Sequence, residues 1–416
     1  MRILNILNES LALAFSELVH NRLRAFLSLL GITIGIFCII AVFGAVDSLE
    51  SDIRGSMKNL GEDAVYVTKW PWAFADENYA WWEYMKRPES NYADFGAIRT
   101  WADKASAIAI EFTMQGKTAK HGDNAVENAS VMAASHDYNK VYNLKLAEGR
   151  YFSTRESQGG DKVAIVGANL AKSLAQGGTL LGGEIRLIGQ RFRVIGIMEK
   201  EGQSIIDFGF DDRVIIPYKS ITSLVNVNNP QLEQSIIVTA SQGVSLEELK
   251  SQLRGVMRVH RRLRPSQDDN FSLNEMSVVN QGLSAMFGVI RFAGGFIGIF
   301  SILVGGFGIA NIMFVSVKER TGIIGIKKAL GARNGFILSE FLIEAVILCI
   351  TGGVLGLIGV YALMQLVNAS DIGMTFVLSA GNIITGLVIS ASIGVISGLA
   401  PALWAARMDP VVAMRS

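Results

Sequence analysis

The sequence predicts a membrane α-helical protein with four transmembrane helices and a large mixed α/β extracytoplasmic domain between the first and second helices. Composition supports a membrane protein, because half of the 416 residues are hydrophobic, the mean hydropathy is +0.35 and only 18% are charged. Soluble domains carry about 25% charged residues. Four stretches are apolar over the roughly 20 residues that a helix needs to cross a bilayer. The segment 47–286, between the first and second stretches, is long enough for one large or two small folded domains.

The hydropathy pattern divides the chain into eight predicted segments. They are a cytoplasmic amphipathic helix (1–24), transmembrane helix 1 (25–46), the extracytoplasmic domain with helical stalks (47–286), transmembrane helix 2 (287–317), a cytoplasmic segment (318–336), transmembrane helix 3 (337–367), transmembrane helix 4 (383–404) and a cytoplasmic tail (405–416). The first apolar run is too long for the core of a signal peptide, so we expect a retained anchor. The residues before it are apolar at helical spacing, which favours a helix on the membrane surface over a soluble cap helix.

Lysine and arginine set the predicted orientation, because they concentrate in the cytoplasmic loops of membrane proteins. Arg22 and Arg24 precede the first run, and Arg407 and Arg415 follow the fourth. The loop between the second and third runs holds five basic residues: Lys318, Arg320, Lys327, Lys328 and Arg333. The loop 368–374 holds none. This distribution predicts cytoplasmic N and C termini and places residues 47–286 outside the cytoplasm.

The segment 47–286 mixes strand and helix patterns. Short β-branched runs such as "AVYVTK", "KVAIVG" and "RVIIP" are typical of strands, and "EIRLIGQRFRVIGIM" (184–198) predicts two alternating strands around Gly189. The stretch 245–265 predicts a helix with a serine at its start and a proline at its end. We expect a mixed α/β domain, divided in two near the glycine-rich stretch 159–183.

Several function classes lack support in the sequence. The net charge of +1 gives no indication of nucleic-acid binding. The two cysteines lie in apolar runs and the four histidines are scattered, so we predict neither a disulfide framework nor a metal site. No G-x-x-x-x-G-K-[ST] or G-x-S-x-G pattern occurs. We therefore expect a non-catalytic chain whose energy comes from a partner or an ion gradient.

Charged residues within the apolar runs are few. Arg291 lies near the outer end of the second run, and Glu340 and Glu344 lie near the inner end of the third. Such residues form a proton relay in some transporters. The alternative is interfacial anchoring by side chains that reach the membrane surface, or an interhelical hydrogen bond from Glu344.

Each of the four apolar runs contains a G-x-x-x-G pattern. The paired glycines are Gly31 and Gly35, Gly294 and Gly298, Gly352 and Gly356, and Gly394 and Gly398. Small residues at this spacing let helix backbones approach closely in lipid. The pattern predicts tight helix packing, either within one chain or between two copies.

The stretch "WPWAFADENYAWWEYM" (70–85) is unusually aromatic. Its tryptophans, Trp70, Trp72, Trp81 and Trp82, are candidates for a surface that binds substrate or a partner protein. The alternatives are a local hydrophobic core or rings resting at the membrane interface.

The stretch "KERTGIIGIKKALGA" (318–332) places four basic residues and one acid between two apolar runs. Drawn as a helix, it has an apolar strip of Ile323, Ile324, Ala329 and Leu330. Gly331 tolerates the left-handed conformation that ends many helices. The helix is either an anchor held in the cytoplasm by its charges or a docking surface for a cytoplasmic protein.

This region carries a family resemblance. "VKERTGIIGIKKALGARNGFILSEFLIEAVIL" (317–348) resembles the corresponding segment of MacB/FtsX-like ABC transporter permeases. The C-terminal "PALWAARMDPVVAMR" and the N-terminal "NRLRAFLSLLGITIGI" are similar to the same family. "LAEGRYFS", "VAIVGANLAKSL" and "FRVIGIMEKEGQS" resemble its MacB-type periplasmic core domain. The resemblance covers nearly the whole chain, in the same order.

The resemblance implies a permease of the bacterial cytoplasmic (inner) membrane that binds no cofactor itself. Its implied partners are a separate ABC ATPase that binds ATP and Mg, a second permease chain forming a dimer, a periplasmic adaptor and an outer-membrane channel. The segment 318–336 would be the coupling helix that receives motion from the ATPase. The implied coupling residues are Glu319, Arg320, Gly325, Lys327, Lys328, Gly331 and Ala332. The chain departs from the family at Ile323, where an acidic residue is usual. A second departure is that MacB-type members carry a fused ATPase domain and this sequence does not, so we expect the ATPase on another chain.

Three activities fit this architecture. The first is export, in which ATP hydrolysis moves the extracytoplasmic domain and drives substrate outward. The second is regulation of an extracytoplasmic hydrolase, as in FtsX-like proteins, and the third is release of lipoproteins. The large outer domain favours export. A stand-alone membrane enzyme is a further alternative, but the sequence offers no nucleophile–base pair or metal pattern for it.

Overall fold

The computed structural model describes residues 22–58, 63–72, 81–200, 209–227, 229, 232–370 and 375–413. These residues divide into two compact units. The helical unit comprises residues 1–51 and 285–416, and the sheet unit comprises residues 52–284. The predicted amphipathic helix (1–24) lies outside the described residues except for its last three.

The secondary structure alternates between helices and strands in the sheet unit and is helical elsewhere. The helices are α1 (Arg22–Lys58), α2 (Trp81–Met85), α3 (Tyr92–Trp101), α4 (Tyr138–Tyr142), α5 (Thr154–Gly159), α6 (Ala168–Ala175), α7 (Tyr218–Ile221), α8 (Leu246–His260), α9 (Met276–Glu319), α10 (Thr321–Ala329), α11 (Asn334–Asn368), α12 (Ala380–Arg407) and α13 (Pro410–Ala413). The strands are β1 (Ala64–Thr68), β2 (Ala105–His121), β3 (Asn124–Ala134), β4 (Leu146–Gly149), β5 (Val163–Val166), β6 (Glu184–Leu187), β7 (Gln190–Met198), β8 (Arg213–Pro217), β9 (Gln234–Ala240) and β10 (Ser272–Glu275).

The helical unit contains the four predicted spans. Helices α1, α9, α11 and α12 are each long and apolar enough to cross a membrane. The predicted spans lie inside these four helices, so the transmembrane part of the fold prediction is confirmed. Helix α1 continues past Val46 to Lys58, and α9 begins at Met276, before the second apolar run. These two helical extensions were also predicted. The apolar side chains between the helices form a common core that includes Ile36, Ile40 and Leu348.

The sheet unit is built on one ten-stranded sheet in the order β10-β1-β9-β2-β3-β8-β5-β7-β4, with β6 paired to β2 and β7. Most neighbouring strands are antiparallel, but β3 with β8 and β5 with β7 are parallel. The first and last strands of the unit, β1 and β10, are antiparallel neighbours, with Val65 opposite Glu275. Just outside them, Arg54 donates a hydrogen bond of 2.6 Å to the Ser284 hydroxyl.

The strand sequences explain this architecture. Strand β5, "VAIV", is buried at every position, which is typical of a strand covered on both faces. Strands β6 and β7 form the predicted hairpin around Gly189. Ile188 and Gly189 both have positive φ, at 48° and 74°, as a two-residue turn of type I′ requires.

One face of the sheet packs against helix α8. The Ser245 hydroxyl accepts a hydrogen bond from the Glu248 backbone N–H at 3.3 Å and caps the helix, as predicted. Leu249, Leu253 and Met257 lie one turn apart and are fully buried in the core of the sheet unit. Burial of each such side chain contributes about 1.5–3 kcal/mol.

The predicted division of the outer domain near residues 159–183 is wrong. Strand β3 precedes this stretch and β8 follows it, yet the two strands pair along their length. Strand β6 follows it and pairs with β2, which precedes it. The glycines of the stretch lie in connections of a single sheet, because strand pairing overrides the local flexibility that composition suggests.

Candidate docking site and helix interfaces

The predicted coupling segment forms a short helix, α10, between α9 and α11. Helix α9 ends at Glu319, and Arg320 separates it from α10. The helix stops at Leu330, and Gly331 follows with a φ of +93°. Few residues other than glycine adopt that conformation without strain. The Ala332 N–H then closes the turn on the Lys327 carbonyl at 3.0 Å.

Helix α10 has one apolar face turned outward. Ile323 is 56% exposed, Ile326 55% and Leu330 83%, and their spacing of three and four residues places them on one side. Ile324 and Gly325 face inward and are buried. The expected strip of Ile323, Ile324, Ala329 and Leu330 is therefore corrected, since Ile326 occupies the outer face and Ile324 joins the core.

The inner side of α10 is attached to two membrane helices through cations. The Lys328 ammonium donates hydrogen bonds to the Ala406 and Met408 carbonyls, both at 2.7 Å. These carbonyls lie at the C-terminal end of α12, where backbone acceptors lack helical partners and a positive charge is favoured. Lys327 forms an ion pair of 2.6 Å with Glu340 on α11. The basic residues therefore fix the position of α10 relative to α11 and α12.

The charges within the apolar runs all have partners of opposite sign. Glu344 is almost completely buried and lies 3.4 Å from the guanidinium of Arg320. Arg291 donates hydrogen bonds of 2.7 Å to both Asp47 and Glu50 of α1. This pairing supports anchoring of the helices to one another more than a proton relay. Glu319 is exposed on the last turn of α9.

Glycines bring α1 into close contact with α9. A Cβ added at Gly31 would lie 3.1 Å from the Cα of Gly305, and one added at Gly35 would lie 3.2 Å from the backbone N of Ile302. Gly294 and Gly298 contact side chains of α1 in the same way, at Val42 and Ile39.

The remaining glycine pairs pack α11 against α1 and α12. A Cβ at Gly356 would lie 2.9 Å from the Thr33 carbonyl, and Gly352 lies against Ile32, also on α1. A Cβ at Gly394 would lie 2.6 Å from the Cα of Val346, and one at Gly398 would lie 2.5 Å from the Ala345 Cβ. All eight glycines therefore contact neighbouring helices of the same chain.

The four tryptophans do not form one cluster. The Trp72 ring is partly buried with its centroid 4.8 Å from that of Tyr66 on β1. The Trp70 ring faces Tyr84 at 6.4 Å. Trp81 and Trp82 form an edge-to-face pair on α2 and are 55% and 54% exposed. The surface candidates among the four are thus Trp81 and Trp82. Residues 73–80 between the two sets, including Phe74 and Tyr79, lie outside the described residues.

Two features of the structure could not be found from the sequence. The acceptors for Lys328 are backbone carbonyls, which no side-chain motif marks. The second feature is a cleft in the sheet unit lined by Arg99, His136 and Lys219, which no motif marks because these residues come from separate parts of the chain. Within the described ranges, no group of three or more His, Cys, Asp or Glu residues is placed to hold a metal ion.

Comparison with known proteins gives two family matches. The MacB-like periplasmic core domain matches residues 25–256, and the FtsX-like permease C-terminal domain matches residues 295–410. The periplasmic region of MacB from Actinobacillus actinomycetemcomitans superposes with a TM-score of 0.44 at 15% identity, covering 55% of this chain and 95% of that structure.

Curated relatives match along almost the whole chain. The macrolide export ATP-binding/permease protein MacB of Acinetobacter baylyi is 30% identical over 99% of this chain and 60% of its own length. MacB of Syntrophobacter fumaroxidans is 28% identical over 98% of this chain and 63% of its own length. The pyoverdine export ATP-binding/permease protein PvdT of Pseudomonas syringae is 28% identical over 98% of this chain and 59% of its own length.

The chain thus spans about three fifths of the length of the curated relatives it matches. The two family matches follow one another in the order that the sequence predicted. Together they include strands β1 to β9, most of α1, the part of α9 from residue 295 onward, and α10, α11 and α12. The chain belongs to the MacB/FtsX-like family of ABC transporter permeases, which are multi-pass membrane proteins.

Proposed function

We propose that this chain is the non-catalytic permease subunit of an ABC-type exporter. An ATPase on a partner chain binds ATP and Mg, and its closure pushes on α10. The motion passes to the sheet unit along α1 and α9, whose residue ranges each include the boundary between the units. Movement of the sheet unit then drives substrate outward. Relatives described as export ATP-binding/permease proteins support the export role.

The observation that carries the proposal is the construction of α10. Its outer face exposes Ile323, Ile326 and Leu330, which is unusual for a charged loop helix and is suited to burial against another protein. Its inner side is attached to α11 and α12 by Lys327 and Lys328. A push on the apolar face would therefore pass to α12 through the Lys328 hydrogen bonds and, more weakly, to α11 through the Lys327–Glu340 ion pair.

The proposed orientation follows the positive charges. Helix α10 and both termini lie in the cytoplasm, and the sheet unit lies outside. Cysteine labelling tests this directly. In a Cys38→Ala, Cys349→Ala background, an impermeant maleimide added to intact cells should label Trp101→Cys, which replaces a 70% exposed residue of the sheet unit. Leu330→Cys should react only after the membrane is opened. The reverse pattern contradicts the orientation.

The proposed assembly contains two permease chains and two ATPases. All eight G-x-x-x-G glycines contact helices of their own chain, so the second permease would pack on another face. A periplasmic adaptor and an outer-membrane channel complete the proposed export path. Purifying the native protein in mild detergent and identifying its partners by mass tests this assembly. An ATPase with an adaptor supports export, an ATPase with a cell-wall hydrolase supports the regulatory alternative, and the absence of an ATPase contradicts the coupling role.

The docking face has a sharper test in charge substitution. Ile326→Asp and Leu330→Asp place a carboxylate in the proposed contact. Burial of one such side chain contributes about 1.5–3 kcal/mol, so affinity for the ATPase should fall roughly 10- to 150-fold. Val259→Asp is the matched control, because Val259 is 81% exposed in the sheet unit. Unchanged ATPase binding in the α10 variants, or an equal loss in the control, contradicts the docking assignment.

A further inference from the structure

A cleft of about 180 Å³ opens in the sheet unit where two parallel strands end. Strands β3 and β8 run in parallel, with Ala134 opposite Pro217 at their carboxyl ends. The residues that follow directly, Ser135 to Asp137 after β3 and Tyr218 and Lys219 after β8, line the cleft. The carboxyl ends of parallel strands are the usual position of ligand sites in α/β sheets.

Two polar groups in the cleft are available to a ligand. Ser157 lines the cleft and is 7% exposed. The His136 Nδ1 lies 2.8 Å from the Phe152 carbonyl. Since a carbonyl only accepts, Nδ1 carries the proton, and Nε2 has no hydrogen-bond partner among the described residues.

The charges in the cleft are unbalanced. Lys140 is neutralised by Asp137, with an ion pair of 2.9 Å. Arg99 and Lys219 also line the cleft, and neither has a carboxylate within 4 Å among the described residues. The Lys219 ammonium instead lies 5.4 Å from the centre of the Tyr92 ring. The cleft therefore carries two uncompensated positive charges beside aromatic walls formed by Tyr92 and Phe95.

We propose that this cleft binds a small organic anion, a carboxylate or phosphate ester about as large as a single six-membered ring. A dry cavity of about 150 Å³ is large enough for benzene, so the volume matches a molecule of this size. Arg99 and Lys219 bind the anionic group, the Ser157 hydroxyl and His136 Nε2 bind its remaining polar atoms, and Phe95 contacts the ring. The site is independent of the proposed docking face on α10.

The test is direct binding to the full-length protein in neutral detergent. Benzoate and phenyl phosphate are the anionic probes, and benzamide is the uncharged molecule of the same shape as benzoate. Saturation-transfer NMR with empty micelles as a blank measures each dissociation constant. We expect saturable binding of at least one anion and at least tenfold weaker binding of benzamide, because a hydrogen bond to a charged group is commonly worth a factor of ten or more.

Two charge-matched double variants locate the site. Arg99→Gln with Lys219→Gln should weaken anion binding at least tenfold. Lys120→Gln with Arg186→Gln, which removes two exposed cations from a different groove of the same unit, should leave it unchanged. The single variant Ser157→Ala should weaken binding without lowering the thermal midpoint. The proposal is overturned if neither anion binds, if benzamide binds as well as benzoate, or if the two double variants lose affinity equally.

Discussion

Lys328 offers the most direct test of how α10 is held. Its ammonium donates hydrogen bonds to the Ala406 and Met408 carbonyls, both at 2.7 Å. Lys328→Met keeps most of the aliphatic stem and removes both bonds. Each hydrogen bond to a charged group contributes about 1.5–3 kcal/mol. Because one partly exposed ammonium makes both bonds, we expect a combined loss of about 2–3 kcal/mol rather than twice the single value.

That loss should appear as local opening of α10 rather than as global unfolding. A change of about 2–3 kcal/mol raises the open population roughly 30- to 150-fold. Hydrogen exchange followed by mass spectrometry on the purified protein in detergent measures this, since amide exchange in residues 321–329 should accelerate by the same factor. Exchange in α8, in the other unit, should not change. ATP-driven transport should fall together with the protection of α10.

Lys327→Met provides the matched control. Its ion pair with Glu340 is 2.6 Å long, but the Lys327 side chain is 38% exposed. A pair of this kind contributes about 0–1 kcal/mol, so exchange should accelerate at most about fivefold. If Lys328→Met accelerates exchange no more than Lys327→Met does, the carbonyl contacts do not hold the helix and the attachment argument fails.

Three further predictions concern packing, burial and the aromatic surface. Gly394→Ala should lower the thermal midpoint in detergent, because its Cβ would lie 2.6 Å from a backbone atom of α11 and overpacking costs about 1–3 kcal/mol. Gly288→Ala is the control, because a Cβ there meets open space and the change should be neutral or slightly stabilising. An equal loss in both variants contradicts the packing assignment. Burial raises the pKa of Glu111 from 4.5 to about 7. The folded state therefore holds this proton more tightly, and the stability that this group contributes falls as pH rises from about 4.5 to about 7. Glu111→Gln should raise the thermal midpoint at pH 8 and change it little at pH 4.5. An equal shift at both pH values contradicts the raised pKa. Trp81→Ala should leave the thermal midpoint unchanged and reduce transport. Trp72→Ala should lower the thermal midpoint, because it removes a partly buried ring. A lower thermal midpoint for Trp81→Ala would mean that Trp81 stabilises the fold and does not bind a partner or substrate.

Much of the fold could be predicted because it depends on local patterns. Apolar runs longer than a bilayer crossing identify the four long helices, and alternation around Gly189 identifies the β6–β7 hairpin. The strand order could not be predicted in this way. Strand β1 pairs with β9 and β10, which lie far along the chain. Such pairing is decided by packing of the whole sheet and leaves no periodic signal.

The candidate docking helix shows the same limit at the scale of single residues. The sequence correctly places a short helix near 318–336, but Ile323, Ile324 and Ile326 lie on several sides of it. Periodicity alone cannot say which isoleucine faces the core when apolar residues surround the helix. That choice is made by the packing of the helical unit, whose core includes Ile324 and leaves Ile326 exposed.

The pairing of β1 with β10 has a consequence for modularity. The sheet unit begins and ends on two hydrogen-bonded neighbours, Val65 opposite Glu275, and Arg54 and Ser284 are hydrogen-bonded just beyond them. A folded segment whose two ends meet in this way can be inserted into a host chain with little disturbance. The sheet unit can therefore be exchanged between permeases as one continuous segment. Residues 52 and 284 are suitable junctions for chimeric proteins.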